Sequence, residues 1–147
     1  MDACDPSSFK ETITPVADSH RFMCIDRYRV MERALPCIGE HQPVANRRCA
    51  SKCGGDIKAL QNKTKNLLED LFDTNVRVLW YYGRVFCKRA ECNLRCTEPV
   101  LEEKCPEHVG ITKQFLGFAF TAFEATMKRK LADKWPRTCE RMMEFFQ

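Results

Sequence analysis

Ten cysteines, spread along the whole chain, constrain the fold of this 147-residue sequence more than any other feature. They are Cys4, Cys24, Cys37, Cys49, Cys53, Cys87, Cys92, Cys96, Cys105 and Cys139. Ten free thiols in so small a domain would be an oxidation hazard, whereas ten paired thiols would form a framework of disulfides. Each bridge typically adds about 2–4 kcal/mol of stability, mainly by restricting the unfolded chain. We therefore predict that all ten are disulfide-bonded and that the protein is extracellular, either secreted or an ectodomain.

Zinc binding is the alternative use of these cysteines. Structural zinc sites favour cysteine pairs about two to four residues apart, often together with histidine. The chain has two C-x-x-x-C pairs, Cys49/Cys53 and Cys92/Cys96, and three histidines, His20, His41 and His108. Zinc sites built from these groups would leave the remaining cysteines unexplained, so we predict no metal and no other cofactor.

Two further features bear on secretion. A secretory leader contains basic residues followed by an apolar stretch, and the residues after Met1 have neither. We therefore expect a mature domain from which a leader has been removed, with Met1 added at its start. The tripeptide Asn62-Lys63-Thr64 is an N-glycosylation sequon, which predicts a glycosylated Asn62 on the surface.

Length and composition predict one globular domain that spans residues 1–147. Apolar residues make up 44% of the chain and charged residues 30%, with a net charge of +4. This balance excludes a disordered chain. The longest apolar-rich run, Phe115–Phe123, is much shorter than the ~20 residues that a membrane-spanning helix needs, so we predict no transmembrane segment.

The spacing of apolar residues is helical nearly throughout, and prolines and glycines mark the expected breaks. The predicted segments are a helix ending near Pro15, a helix from Asp18 or Ser19 to Pro36, a short helix from Pro43 to Cys53 closed by Gly54-Gly55, a long segment from Asp56 to Phe86, a cysteine-dense connector over 87–105 with a new helix start at Pro99, a buried central helix over 110–134, and a short amphipathic tail from Cys139. We predict an all-α fold, a compact disulfide-stapled bundle of five to seven helices.

The two C-x-x-x-C pairs allow a specific geometric arrangement. Residues four apart share one face of a helix, so two such helices packed antiparallel could join Cys49 to Cys96 and Cys53 to Cys92. Other pairings stay open, because even eight cysteines have roughly a hundred connectivities.

The sequence lacks the motifs of common hydrolases. It has neither a G-x-S-x-G nucleophile motif nor an H-E-x-x-H zinc motif, and each histidine lies beside a predicted break. We interpret the histidines as solvated residues at helix ends and predict that the protein is not an enzyme.

Positive charge is concentrated in two clusters that are candidate contacts for an acidic glycan or an acidic protein. These residues are Arg47, Arg48, Lys52, Lys128, Arg129 and Lys130. We favour the alternative that such basic residues form solvated helix faces, with salt bridges to Asp26, Glu32, Asp56 and Asp133. We expect no nucleic-acid partner, because no DNA- or RNA-binding motif is present.

A set of aromatic residues supports a different alternative, a carrier of a small hydrophobic ligand such as a lipid. These residues are Trp80, Tyr81, Tyr82, Phe115, Phe118, Phe120 and Phe123. At helical spacing they are also what an ordinary core requires.

Residues 24–53 contain a distinctive cysteine pattern. Cys24-Ile-Asp-Arg-Tyr-Arg-Val-Met-Glu-Arg-Ala-Leu-Pro-Cys37 is followed by Cys49-Ala-Ser-Lys-Cys53. This order resembles the secreted cysteine-rich helical domains expanded in nematodes, in particular the chondroitin proteoglycan 4 type, with the domain of unknown function 19 type as a competing match. The resemblance implies an extracellular, non-enzymatic, all-helical disulfide domain of a matrix or cell surface. Chondroitin attaches at Ser-Gly dipeptides in that family, and this sequence has none, so no attachment residue is carried over.

Overall fold

The computed structural model describes residues 21–54 and 76–147, and every regular element within these ranges is helical. The elements are a π-helical turn over Phe22–Asp26, α1 over Tyr28–Ala50, α2 over Val76–Lys104, α3 over Val109–Leu131, a 3-10 turn over Ala132–Lys134 and α4 over Arg137–Glu144. The predicted all-α, disulfide-stapled bundle is confirmed. The predictions for Cys4, His20, Asn62, the helix ending near Pro15 and the segment 56–75 lie outside the described residues.

Helix α1 is longer than the sequence predicted. The prediction ended one helix at Pro36 and began another at Pro43, but α1 continues through both prolines from Tyr28 to Ala50. A proline inside a helix removes one hydrogen bond and crowds the carbonyl four residues earlier, which costs about 3 kcal/mol relative to alanine. Both prolines are exposed, so water can reach this side of the helix and bond the carbonyls that lose their partners. The predicted stop is confirmed at Gly54, whose φ of 88° favours glycine.

Helix α2 takes the place of the predicted connector over residues 87–105. It includes Pro99, where the sequence predicted a new helix start, and this proline is also exposed. Three of the described disulfides join α2 to other elements. The buried positions of α2 are Leu79, Gly83, Cys87, Ala90, Glu91, Leu94, Thr97 and Leu101. Helix α2, rather than the predicted 110–134 helix, is therefore the central one. It continues through Pro99 because tertiary packing and cross-links outweigh the tendency of proline to end a helix.

The C-terminal part of the chain follows the prediction closely. Helix α3 covers Val109–Leu131, against a predicted 110–134, and Trp135-Pro136 separates it from α4 as expected. Ala132 has a φ of 47°, which ends the α-helical geometry. Among the described helices, including α3 with its apolar run, none combines the length and the apolarity that crossing a membrane requires.

The helices pack side by side around α2. The inter-helix disulfides pair rising residue numbers on α1 with falling numbers on α2, so these two helices are antiparallel. Leu131 near the end of α3 packs with Leu79 near the start of α2, so α3 also runs antiparallel to α2. Helix α4 then covers the core, where Met142 contacts a buried cluster that contains Cys87 and Leu94.

Candidate binding surfaces

Three disulfides form a ladder between the α1 region and the α2 region, and a fourth holds α4. The ladder consists of Cys37–Cys105, Cys49–Cys96 and Cys53–Cys92, with Cα–Cα distances of 6.0, 5.8 and 5.6 Å, and the fourth bridge is Cys87–Cys139 at 4.8 Å. The double bridge considered for the two C-x-x-x-C pairs is confirmed. Cys24 is disulfide-bonded as well, and no described cysteine is free.

The Cys49–Cys96 and Cys53–Cys92 bridges fix the end of α1 in orientation as well as in position. A single bridge leaves a helix able to rotate about its attachment point. Cys49 and Cys53 are four residues apart, and so are their partners Cys92 and Cys96. Two attachments one helical turn apart prevent that rotation, so side chains at this end of α1 project from a rigid base.

One group of residue types that bind metals occurs in the described part of the chain, at the first rung. Cys37, His41 and Cys105 bring their ligand atoms within 4.8 Å of one another. The two sulfurs are bonded to each other, whereas cysteine binds zinc as a thiolate. The position of His41 corrects the prediction, because α1 continues past it and no break lies there. His108 directly precedes α3, as the sequence indicated.

The first predicted cluster, Arg47, Arg48 and Lys52, lies at the end of α1, and we call these three residues the α1 patch. All three are exposed, and within the part of the chain that the structure describes none of them forms a salt bridge. Cations are favoured at a helix C-terminus by its partial negative charge. The α1 patch is therefore stable where it lies without using a carboxylate, and its charges face solvent.

Glu103 is an acid whose pKa is affected by the α1 patch. The pKa of Glu103 is lowered, chiefly because the Lys104 ammonium hydrogen-bonds to its carboxylate and attracts it, and to a smaller extent because of the positive charge of Arg48. The Lys104 Nζ–Glu103 Oε1 distance is 2.9 Å. Glu103 is thus already satisfied by its neighbour, and the α1 patch keeps its charge available to a partner.

Arg89 brings a further cation from α2 close to Gly54, two residues after the α1 patch, and sequence analysis missed it. Its Nε lies 3.8 Å from the point where a Cβ on Gly54 would be. The Cys53–Cys92 bridge causes this approach, because Arg89 lies about one turn from Cys92 on α2. No sequence signal could have found it, since Arg89 is far from Lys52 along the chain and the disulfide pairing was undecided.

The second predicted cluster, Lys128, Arg129 and Lys130, lies near the end of α3 and is less available. Lys128 Nζ is 2.6 Å from Glu124 Oε1 and lies 5.7 Å from the ring centroid of Trp135. Arg129 Nε donates to a backbone carbonyl of its own helix at 3.3 Å. Local contacts therefore occupy much of this cluster, and the acid that pairs with Lys128 is Glu124 rather than the predicted Asp133.

The two clusters lie at different levels of the bundle. A Cβ on Gly83 would lie 3.4 Å from Met127 Cε, which places the α3 cluster at the level of residue 83 on α2. The α1 patch lies at the level of Cys92. With a rise of about 1.5 Å per residue, the levels differ by about 14 Å along α2. The two clusters are therefore separate surfaces.

Two of the aromatic residues that suggested a lipid site, Phe120 and Phe123, pack against other rings of the core. Ring centroids are 5.2 Å apart for Phe86 and Phe123 and 5.3 Å apart for Phe120 and Phe146. A crevice of about 180 Å³ lies beside Phe120, close to the size of a cavity that holds one benzene ring (about 150 Å³). Phe120 and Phe123 therefore act mainly as core residues. The lipid-carrier alternative stays a prediction.

Glu91 is a buried carboxylate that serves the packing of α4. It is 9% exposed and accepts a hydrogen bond from Arg95 Nε at 3.2 Å. Arg141 on α4 approaches the same oxygen at 3.5 Å. A buried carboxylate must be paired to be tolerated, and these two arginines provide the pairing.

Comparisons of the chain with protein-family models, with curated proteins and with solved structures find no match. The resemblance to nematode cysteine-rich domains therefore stays a prediction from the pattern of residues 24–53.

Proposed function

We propose that this protein is an extracellular, non-catalytic binding module that engages an acidic glycan through the α1 patch. The observation that carries this proposal is the presence of three exposed cations, without salt bridges in the described ranges, on a helix end that two disulfides clamp. A fixed backbone presents several cations to one polyanion at the same time. The helix is already ordered before binding, so binding does not carry the free-energy cost of ordering it, and this cost would otherwise reduce the affinity.

The extracellular part of the proposal is supported by the disulfides. Cross-links of this kind form and persist in oxidising compartments and are rare in reducing ones. Four described bridges in so small a chain fit a secreted or cell-surface protein.

An acidic glycan suits the α1 patch better than an acidic protein does. The core of a protein interface is usually rich in aromatic and apolar side chains. Among the described residues, the exposed neighbours of the α1 patch include Ser51, Gly54 and Val44, which lies one turn before Arg48, and one valine does not form such a core. A flexible chain of sulfate or carboxylate groups needs mainly accessible cations.

Heparin and chondroitin sulfate affinity chromatography tests the proposal with a matched pair of variants. Arg48→Glu/Lys52→Glu reverses two exposed cations four residues apart in the α1 patch. Arg29→Glu/Arg33→Glu makes the same charge change, at the same spacing, in the first half of α1. We expect the first variant to elute at lower salt, with affinity reduced about tenfold or more, and the second to elute close to the wild type.

Equal losses in both variants would contradict the proposal, because retention would then follow net charge rather than the α1 patch. Binding to polyglutamate but to neither glycan would contradict the glycan assignment and indicate an acidic protein. Circular dichroism and thermal unfolding of each variant confirm that the helices remain folded.

A further inference from the structure

A cleft beside the start of α2 combines aromatic rings with cations. It has a volume of about 800 Å³ and lies between the first turns of α2 and the segment that follows α3. Its walls include Trp80 and Tyr81 on one side and Trp135 on the other, with Arg77, Asp133 and Lys134 around them. A volume of this size lies within the range of sites that hold small ligands, about 300–1,000 Å³.

Two of the cleft's rings are held in place and a third is exposed. Arg84 lies 5.5 Å from the centroid of the Trp80 ring, and Trp135 packs against Phe123 at 6.3 Å between centroids. Tyr81 is 59% exposed and contacts the Tyr82 ring edge-on, with 5.8 Å between the ring centroids. The cleft therefore offers two packed indole rings and an exposed phenol ring at its edge.

Cations outnumber carboxylates around the cleft. Among the described residues, its lining holds two cations, Arg77 and Lys134, against one carboxylate, Asp133, and Arg84 and Arg137 lie on the adjoining surface beside Trp80 and Trp135. Within the described ranges neither Lys134 nor Arg137 forms a salt bridge. An anionic ligand is therefore favoured over a neutral or cationic one.

The combination of rings and cations selects a class of ligand. The C–H face of a sugar ring is apolar with a slight positive polarisation, which matches the negative face of an aromatic ring. Sulfate and carboxylate groups on the sugar's edge match the cations, and Asp133 can accept hydrogen bonds from hydroxyl groups. A purely electrostatic surface would not need the rings, and a lipid site would not need the cations.

We propose that this cleft binds a sulfated or uronic-acid-containing saccharide, with Tyr81 and the two tryptophans contacting sugar rings and Lys134 contacting an anionic group. This inference rests on the proposed function, to which it adds a second site for the same class of ligand. The α1 patch, about 18 Å away along α2 as measured from Cys92 to Trp80, binds by charge alone. The cleft adds recognition of the sugar ring.

The chain provides its own probe for the test. It contains two tryptophans, and both line the cleft. Intrinsic fluorescence is therefore titrated with a heparin-derived hexasaccharide, in the wild type and in the Arg48→Glu/Lys52→Glu variant. We expect a saturable change in tryptophan emission in both, because the α1 patch is remote from both indoles.

Tyr81→Ala should weaken this binding about fivefold or more, and Lys134→Glu should weaken it further. Tyr28→Ala is the matched control, since Tyr28 is an exposed tyrosine on α1, 46% exposed, and should leave the titration unchanged. Circular dichroism of each variant verifies folding.

The outcomes separate this inference from the proposed function. Heparin retention that depends on the α1 patch, without a fluorescence change and with no effect of Tyr81→Ala, would overturn the cleft and leave the proposed function standing. An equal fluorescence response to polyglutamate would overturn the saccharide assignment. Absence of all glycan binding would overturn both.

Discussion

Cys87 and Cys139 are joined by a disulfide with 4.8 Å between their Cα atoms, and neither residue is exposed to solvent. This bridge ties α4 to the middle of α2. It stands apart from the ladder, whose three bridges are nested, with Cys53–Cys92 enclosed by Cys49–Cys96 and both enclosed by Cys37–Cys105.

Nesting predicts unequal contributions of the bridges to stability. With Cys53–Cys92 intact, Cys49–Cys96 closes a ring of only about ten residues, whereas Cys87–Cys139 closes a loop of 52. The loop-entropy relation then makes Cys87–Cys139 more stabilising than Cys49–Cys96 by about 1.5 kcal/mol. Cys87→Ala/Cys139→Ala should therefore lower the free energy of unfolding in urea by about that much more than Cys49→Ala/Cys96→Ala. Equal losses, or a larger loss for the ladder bridge, would contradict the nested arrangement.

The passage of α1 through Pro36 predicts that removing this proline stabilises the protein. Alanine restores a helical hydrogen bond, while the freer unfolded chain offsets part of the gain, so the net increase should be about 1–2 kcal/mol. Chemical denaturation measures it. Pro136→Ala is the control, because Pro136 is buried outside the helices, at the N-cap of α4, and its replacement should lower stability. Destabilisation by both changes would indicate that α1 ends at Pro36.

Lys113 on α3 contacts α2 and the residue that follows α4, and removing its charge should lower the free energy of unfolding. Its Nζ lies 3.1 Å from Glu98 Oε1 on α2 and 4.3 Å from the ring centroid of Phe145, just after α4. Both partners of the ion pair are partly exposed, so we expect Lys113→Met to cost about 1 kcal/mol in total. A double-mutant cycle with Phe145→Leu should show coupling of about 0.5 kcal/mol or more. Additive effects of the two changes would mean that the cation does not interact with the ring.

Local patterns predicted part of this fold well. The C-x-x-x-C spacing gave the double bridge, because it places both thiols on one helix face. The limits of α3 followed from its apolar run and from the break at Trp135-Pro136.

Other features lay beyond local reasoning. Pro36, Pro43 and Pro99 are strong helix breakers locally, yet cross-links and packing keep α1 and α2 continuous through them. The approach of Arg89 to Gly54, and of Trp135 to Trp80, depends on which segments become neighbours. Neither is encoded in any short stretch of sequence.

Tryptic mapping of the unreduced, thiol-blocked protein tests the central claim of a disulfide ladder most directly. Cleavage after Arg48, Lys52, Arg89, Arg95 and Lys104 separates all four cysteines of the double bridge into different peptides. We predict that peptide 49–52 is linked to peptide 96–104 and peptide 53–58 to peptide 90–95. Linkage of peptide 49–52 to peptide 90–95, or blocked free thiols at these positions, would contradict the account.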